Sequence, residues 1–197
     1  MILSLSALVI ITFTACGNNN AGITDNAGQA TETTAAAKQT ADTIPVNQVA
    51  VGVSIKDIID TYLLMKNAFA KDNANDAATA GKTLQADFVN FDTKTLSADQ
   101  QKVFKDIADD AKEHAEHIGA SVGNIAHQRE HFDMLSKDIA DLIKAFGSGG
   151  KTLYKDFCPM YNNNKGAYWI SEIKEIKNPY LGKAMPTCGA IKEEIKQ

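Results

Sequence analysis

Neither sign of charge dominates this chain: lysines and acids are interspersed, the formal net charge is −4 and the pI is about 5.5. Such a balance builds no basic face for a phosphate backbone, so nucleic acid is not an expected partner. There is no glycine-rich phosphate loop and no Gly-x-Ser-x-Gly turn. Nothing marks a nucleophile with its base, and the chain reads as a non-enzyme. No apolar run reaches the roughly 20 residues that a membrane-spanning helix wants. The nearest approach, ILSLSALVIITFTAC, closes on small residues and Cys16. Arginine occurs once, at Arg129. Of three cysteines and four prolines, two and three fall in one stretch, DFCPMYNNNKGAYWISEIKEIKNPYLGKAMPTCG, residues 156–189.

The N-terminal run is a targeting segment rather than part of the fold. Its end, Phe13-Thr14-Ala15-Cys16, resembles the lipobox of bacterial lipoproteins, where cleavage leaves the cysteine as a lipidated N-terminus. The resemblance implies a signal segment over 1–16 and membrane contact through lipid on Cys16 alone. It also implies a place in the cell envelope, on the outer membrane facing the periplasm. Residues 17–48 lack aromatics and apolar periodicity. Small polar residues bury too little surface to offset chain entropy, so this stretch reads as a flexible linker. The remainder, 49–197, is long enough for one domain with a single core.

Periodicity predicts four amphipathic helices. Ser54 precedes Ile55, Ile58, Ile59, Tyr62 and Phe69 at helical spacing, with Asp57 in the first turn. Asp72 or Asn73 opens a second helix, with Ala77, Gly81, Leu84, Phe88 and Phe91 on one stripe. Ser97 caps a third, whose face reads Val103, Ile107, Ala111, His114 and Ile118 and which Gly119 and Gly123 loosen. A fourth, over about 124–146, carries Ile125, Phe132, Leu135, Ile139, Leu142, Ile143 and Phe146, and GSGG at 147–150 ends it. The expected fold is mainly α, an up-down four-helix bundle. Beyond the glycines, KTLYKDFCPMY and GAYWISEI have β-like composition around an NNNKG turn, while Pro179 and Pro186 forbid a long helix. A C-terminal irregular or β-hairpin flap follows, anchored on the bundle by aromatics such as Trp169.

Soft sulfur gathers in that flap. Thiolates of Cys158 and Cys188 and thioethers of Met160 and Met185 would select Cu(I) or Ag(I) over hard cations, and the adjacent prolines stiffen the loop. With Cys16 taken by lipid, Cys158 and Cys188 are also an even pair in a disulfide-permissive compartment. A Cys158–Cys188 disulfide with the methionines as core filler stands beside the metal reading, as do two unpaired thiols. On helical projection His114 sits at the centre of the third stripe, flanked by His117 and Asp110. Asp-x3-His-x2-His is either a ligand set, a carboxylate orienting an imidazole, or a hydrogen-bonded core histidine. His131 lies at the edge of the fourth stripe and is the bundle's candidate ligand, while His127 points to solvent. HQREH, 127–131, matches the His-x-x-Glu-His of inverted zinc peptidases with Glu130 as base, a match read as coincidence in a helix-friendly composition. Arg129 has a planar fork suited to carbonyls or a carboxylate; it either ties the flap to the bundle or is an exposed charge.

The tail as a whole resembles an uncharacterised family of bacterial envelope lipoproteins, whose members also occur fused to CusB-type adaptors of heavy-metal efflux systems. The likeness covers about residues 50–195. It is carried by Gln128, Arg129, His131 and Phe132, by Cys158-Pro159-Met160, and by Gly166, Trp169, Asn178-Pro179-Tyr180, Gly182, Met185 and Cys188-Gly189. Cys-Pro-Met also resembles the core of the short heavy-metal motif of copper-transporting ATPases and efflux adaptors, with Phe157 where a histidine usually stands. These resemblances imply a periplasmic lipoprotein that binds Cu(I) or a similar soft ion, as a buffer or as a donor to an efflux adaptor. Its ligands would be Cys158, Met160, Met185 and Cys188, with His131 from the bundle. The rival is a metal-free, disulfide-stapled interaction module of the envelope.

Overall fold

A computed structural model describes residues 55–196 of the chain. The expected signal segment ending at Cys16, the linker over 17–48 and the Ser54 cap lie outside the described residues. Four long helices form the body: α1 (Lys56–Ala70), α2 (Ala74–Asn90), α3 (Ala98–Ala120) and α4 (Ile125–Phe146). The starts of α2, α3 and α4 follow from short polar side chains that satisfy orphan amides, whereas Ile55 precedes α1 without such a bond. Asn73 accepts from the Asp76 amide, Ser97 and Gln100 close a reciprocal capping box, and Asn124 accepts from the His127 amide. Gly147, at φ 88°, stops α4 in a backbone region that other residues avoid. None of these helices is long and apolar enough to cross a membrane.

Each helix packs on the next in sequence, as short links require. α3 departs from the expected phase. It buries Phe104, Ala108, Ala111, Ala115 and Ile118, leaving Val103, Ile107 and His114 half-buried at the flank. The inner row is rich in alanine because α2 comes very close. A Cβ added to Gly81 would lie 2.8 Å from the Ala115 carbonyl and 2.9 Å from the Gly119 nitrogen. Gly119 therefore serves close helix approach, not loosening. Alanine carries little hydrophobic signal, so the larger Val103 and Ile107 misdirect the projection.

The C-terminal flap is a three-stranded antiparallel sheet in the order β2-β1-β3, from β1 (Leu153–Cys158), β2 (Ala167–Ser171) and β3 (Ala190–Ile195). The expected hairpin is β1–β2, pairing Cys158 with Ala167 and Asp156 with Trp169. Its connection holds Asn162, Asn163 and Asn164 at positive φ, which asparagine tolerates better than most residues. Strand β3 was not expected: AIKEEI is exposed along almost its whole length and shows no apolar alternation.

Strand β2 meets both α1 and α4 and closes the core. Trp169 and Ile170 are buried, and the Ile170 amide donates to the Tyr62 hydroxyl at 3.1 Å. Phe132 sits among Tyr62, Phe69 and Tyr180, with ring centroids 5.3, 4.9 and 5.6 Å away. Each such ring contributes roughly 1.5–3 kcal/mol by burial, so helices and flap share one core.

Arg129 fixes the flap's far loop. Its Nε donates to the Pro179 carbonyl (2.7 Å), and its terminal nitrogen donates to the Phe69 carbonyl (2.9 Å) and to Asp72 Oδ1 (2.6 Å). Asp72 Oδ2 accepts in turn from the Lys183 amide at 3.0 Å. The guanidinium holds the Asp72 carboxyl below the usual range, with the Lys183 amide adding to the effect. Of the two sequence readings of Arg129, the tie is the one found.

Candidate metal centre

Helices α3 and α4 form an antiparallel hairpin around the turn at 121–124, so residues equally far from the turn face each other. His114 is seven residues before Ser121 and His131 seven after Asn124; His117 and His127 stand four before and three after. All four histidines of the chain are thereby brought into one cluster. The His117 and His131 rings stack at 4.3 Å with planes 2° apart. His127 meets His131 edge-on at 4.7 Å, one helical turn away on α4. Nitrogens of His117, His127 and His131 all lie within 4.8 Å of one another. No other group of three histidine, cysteine or acidic side chains is so placed among the described residues.

Around one tetrahedral ion, three imidazole nitrogens at about 2.0–2.1 Å stand about 3.3 Å apart. Small ring rotations close that difference, and His117 and His127 have room for them: their side chains are 48% and 41% exposed. His127 therefore faces the cluster and does not point wholly to solvent as the sequence suggested. Glu130, the base in the peptidase pattern, lies with its Oε2 3.2 Å from His127 Nδ1.

At His131 and His114 the neutral imidazole is favoured, which is the form that binds metals. Burial pushes the His131 pKa down, and the surrounding His117, His127 and His114 push it further. Burial also lowers His114, against the pull of Glu113 and Asp110. Behind His114 stands Asp138, whose Oδ2 is 4.0 Å from His114 Nε2 and is buried without a hydrogen-bond partner. Burial, with repulsion from Asp110 and Asp141, raises the Asp138 pKa to about 7.

The sulfur residues are arranged differently. Cys158 ends β1 and is buried; Cys188 stands two residues before the start of β3 and is half-buried. Their Sγ atoms are 3.1 Å apart, and the contact raises the Cys188 pKa, with burial adding. Two thiolates about 2.3 Å from a shared tetrahedral ion would stand about 3.8 Å apart. Met160 and Met185 are 50% and 42% exposed. His131 makes its ring contacts with histidines. The structure thus brings Cys158 to Cys188, and His131 to His114, His117 and His127.

Residues 58–151 match a family described as a protein of unknown function, DUF3347. No curated protein and no solved structure matches the chain. The match spans nearly all of the four helices, and so the whole histidine cluster and Arg129, and it stops before β1 and the cysteines.

Proposed function

We propose that the protein is a metal-binding module of the cell envelope that holds one transition ion on His117, His127 and His131. The observation that carries this is the convergence of three imidazoles within 4.8 Å on adjacent helices. Imidazole suits zinc, copper, iron and nickel. The partial exposure of the rings suits an exchangeable ion, held as a buffer or passed on, rather than a buried structural one. Lipid on Cys16, an outer-membrane position facing the periplasm and a heavy-metal efflux adaptor as recipient belong to this proposal. So does the absence of an enzymatic step.

The thiol pair supports the rival as a complement. A 3.1 Å sulfur contact favours a Cys158–Cys188 disulfide that staples the flap over a soft Cu(I) or Ag(I) site shared with Met160 and Met185. The histidines would then bind the ion and the flap would be a docking surface.

Calorimetric titration of the purified protein with Zn(II), Cu(II) and Ni(II), and anaerobically with Cu(I), tests the reading. One divalent ion per chain is expected, weakened at least about tenfold in His117→Ala and His127→Ala and unchanged in Cys158→Ser. Absence of divalent binding, with Cu(I) binding lost in Cys158→Ser, would move the site to the sulfurs.

A further inference from the structure

Three nitrogens in reach of one ion are a site only if each presents a lone pair, and a neutral imidazole presents just one. His117 is half exposed, and His127 Nδ1 faces Glu130 Oε2 at 3.2 Å. The Nδ1 of His131 lies 3.3 Å from His114 Nδ1. Two nitrogens at that distance share one proton, one donating and the other accepting. Which way the proton lies decides whether His131 can bind at all.

The neighbour behind His114 settles the direction. His114 has its Nε2 facing Asp138 Oδ2 at 4.0 Å, and that buried oxygen has no other partner. Asp138 lies two turns along α4 from His131, so His114 reaches across from α3 between them. Above pH 7, where Asp138 is ionised, its carboxylate only accepts. A proton on His114 Nε2 gives the orphaned oxygen its donor once the pair closes to hydrogen-bonding distance. With that proton on Nε2, His114 Nδ1 carries a lone pair and accepts from His131 Nδ1–H. The lone pair of His131 is then on Nε2.

We infer that Asp138 and His114 act as positioning residues that hold His131 as its Nδ1–H tautomer, leaving Nε2 as the nitrogen that takes the ion. This rests on the metal reading of the histidine cluster. It makes His114 a supporting residue and not a fourth ligand, and it gives a purpose to a buried carboxylate oxygen that otherwise has none. The arrangement extends the carboxylate–histidine–metal pattern by one imidazole: oriented ligands bind more tightly because the ring and its proton are already in place. Below pH 7 a protonated Asp138 donating to His114 Nε2 would reverse the chain, put the proton on His131 Nε2 and block the ion.

The test reads the tautomer directly in the metal-free protein. Long-range proton–nitrogen correlation spectra of 15N-labelled protein at pH 8.5 should show His131 protonated on Nδ1 and His114 on Nε2. In His114→Phe, which keeps a ring without nitrogens, His131 should lose that preference and Zn(II) affinity should fall roughly 10–100-fold. His114→Gln, whose side-chain oxygen can accept from His131, should restore most of both and guards against a packing defect in the phenylalanine variant. Asp138→Asn keeps an acceptor and should act mildly, whereas Asp138→Ala should loosen the tautomer. A proton on His131 Nε2 in the parent protein, or an unchanged tautomer in both His114 variants, overturns the inference. His117→Ala separates the two readings: it should abolish tight Zn(II) binding and leave the His131 tautomer alone. Should the parent bind no divalent ion, the metal reading falls, and the tautomer spectra still decide the chain from Asp138 to His131.

Discussion

Replacing Asp156 by asparagine should stabilise the protein above neutral pH and do little in acid. Asp156 lies in the middle of β1, fully buried, with neither carboxylate oxygen hydrogen-bonded. The one strongly favourable charge nearby is Lys66, also fully buried, but its ammonium is bound to Glu172 Oε2 at 2.7 Å. Burial therefore dominates and raises the Asp156 pKa to about 7, with Lys66 pulling it partly back. In the unfolded chain the group titrates near 3.9. Below that value both states carry the proton and the group contributes nothing to pH dependence. Between about 4 and 7 the folded state holds a proton that the unfolded state has lost, so stability falls as pH rises, by about 1.4 kcal/mol per unit. Over some three units the sum is about 4 kcal/mol, complete above pH 7.

Asparagine has nearly the same shape and no proton to lose, so it removes that slope. Urea denaturation of both proteins between pH 4 and 8.5 gives the difference directly, because every other titrating group is common to the two. The expected difference is close to zero at pH 4, climbs through pH 5–7 in favour of Asp156→Asn, and levels off at about 4 kcal/mol. A flat difference would show that Asp156 is ionised against Lys66 throughout, and that Lys66 belongs to both carboxylates. An asparagine variant less stable at pH 8 would refute the reasoning outright.

Arg129→Lys should cost about 2–4 kcal/mol in denaturant unfolding and expose the loop around Pro179 to proteolysis; a lysine can keep the charge toward Asp72 but not three directed bonds to separate chain segments. An effect below about 0.5 kcal/mol would mean that the flap is held by its core rings alone. Oxidation of the Cys158–Cys188 pair, 30 residues apart, should raise unfolding free energy by about 3–4 kcal/mol on the chain-entropy model, an increment absent from Cys158→Ser. Equal stability of oxidised and reduced protein would remove the staple from the account.

The helices were legible because their ends carry chemistry. Asn73, Ser97 and Gly147 stand where capping and glycine arguments place them. The β1–β2 hairpin was legible from the asparagine run and from aromatic and β-branched residues on both sides of it. Strand β3 was not, since one edge of β1 accepts AIKEEI through backbone bonds that leave no pattern in side-chain hydropathy. The phase of α3 was missed for a related reason: Ala108 and Ala115 are inside because α2 approaches along Gly81 and Gly119, and small residues mark close approach rather than burial.

That one-residue error in phase is also what scattered the histidines. With His114 at the centre of the buried face, only His117 could join it in a ligand set, and the α4 histidines stood apart from both. Rotating α3 onto Phe104, Ala108, Ala111, Ala115 and Ile118 moves His114 and His117 together to the flank that α4 lines. The turn at 121–124 then does the rest, because a short link between antiparallel helices pairs residues by their distance from it. His114 and His131 are equidistant from that link, and His117 and His127 nearly so. The signal was therefore present in the sequence as a symmetry about a turn, and a search for ligand spacing within a single helix passes over it. Sulfur chemistry drew attention to the flap because cysteine and proline are rare here and conspicuous together. The histidines are as rare, and it is their placement across two helices that makes an ion the simplest common partner for them.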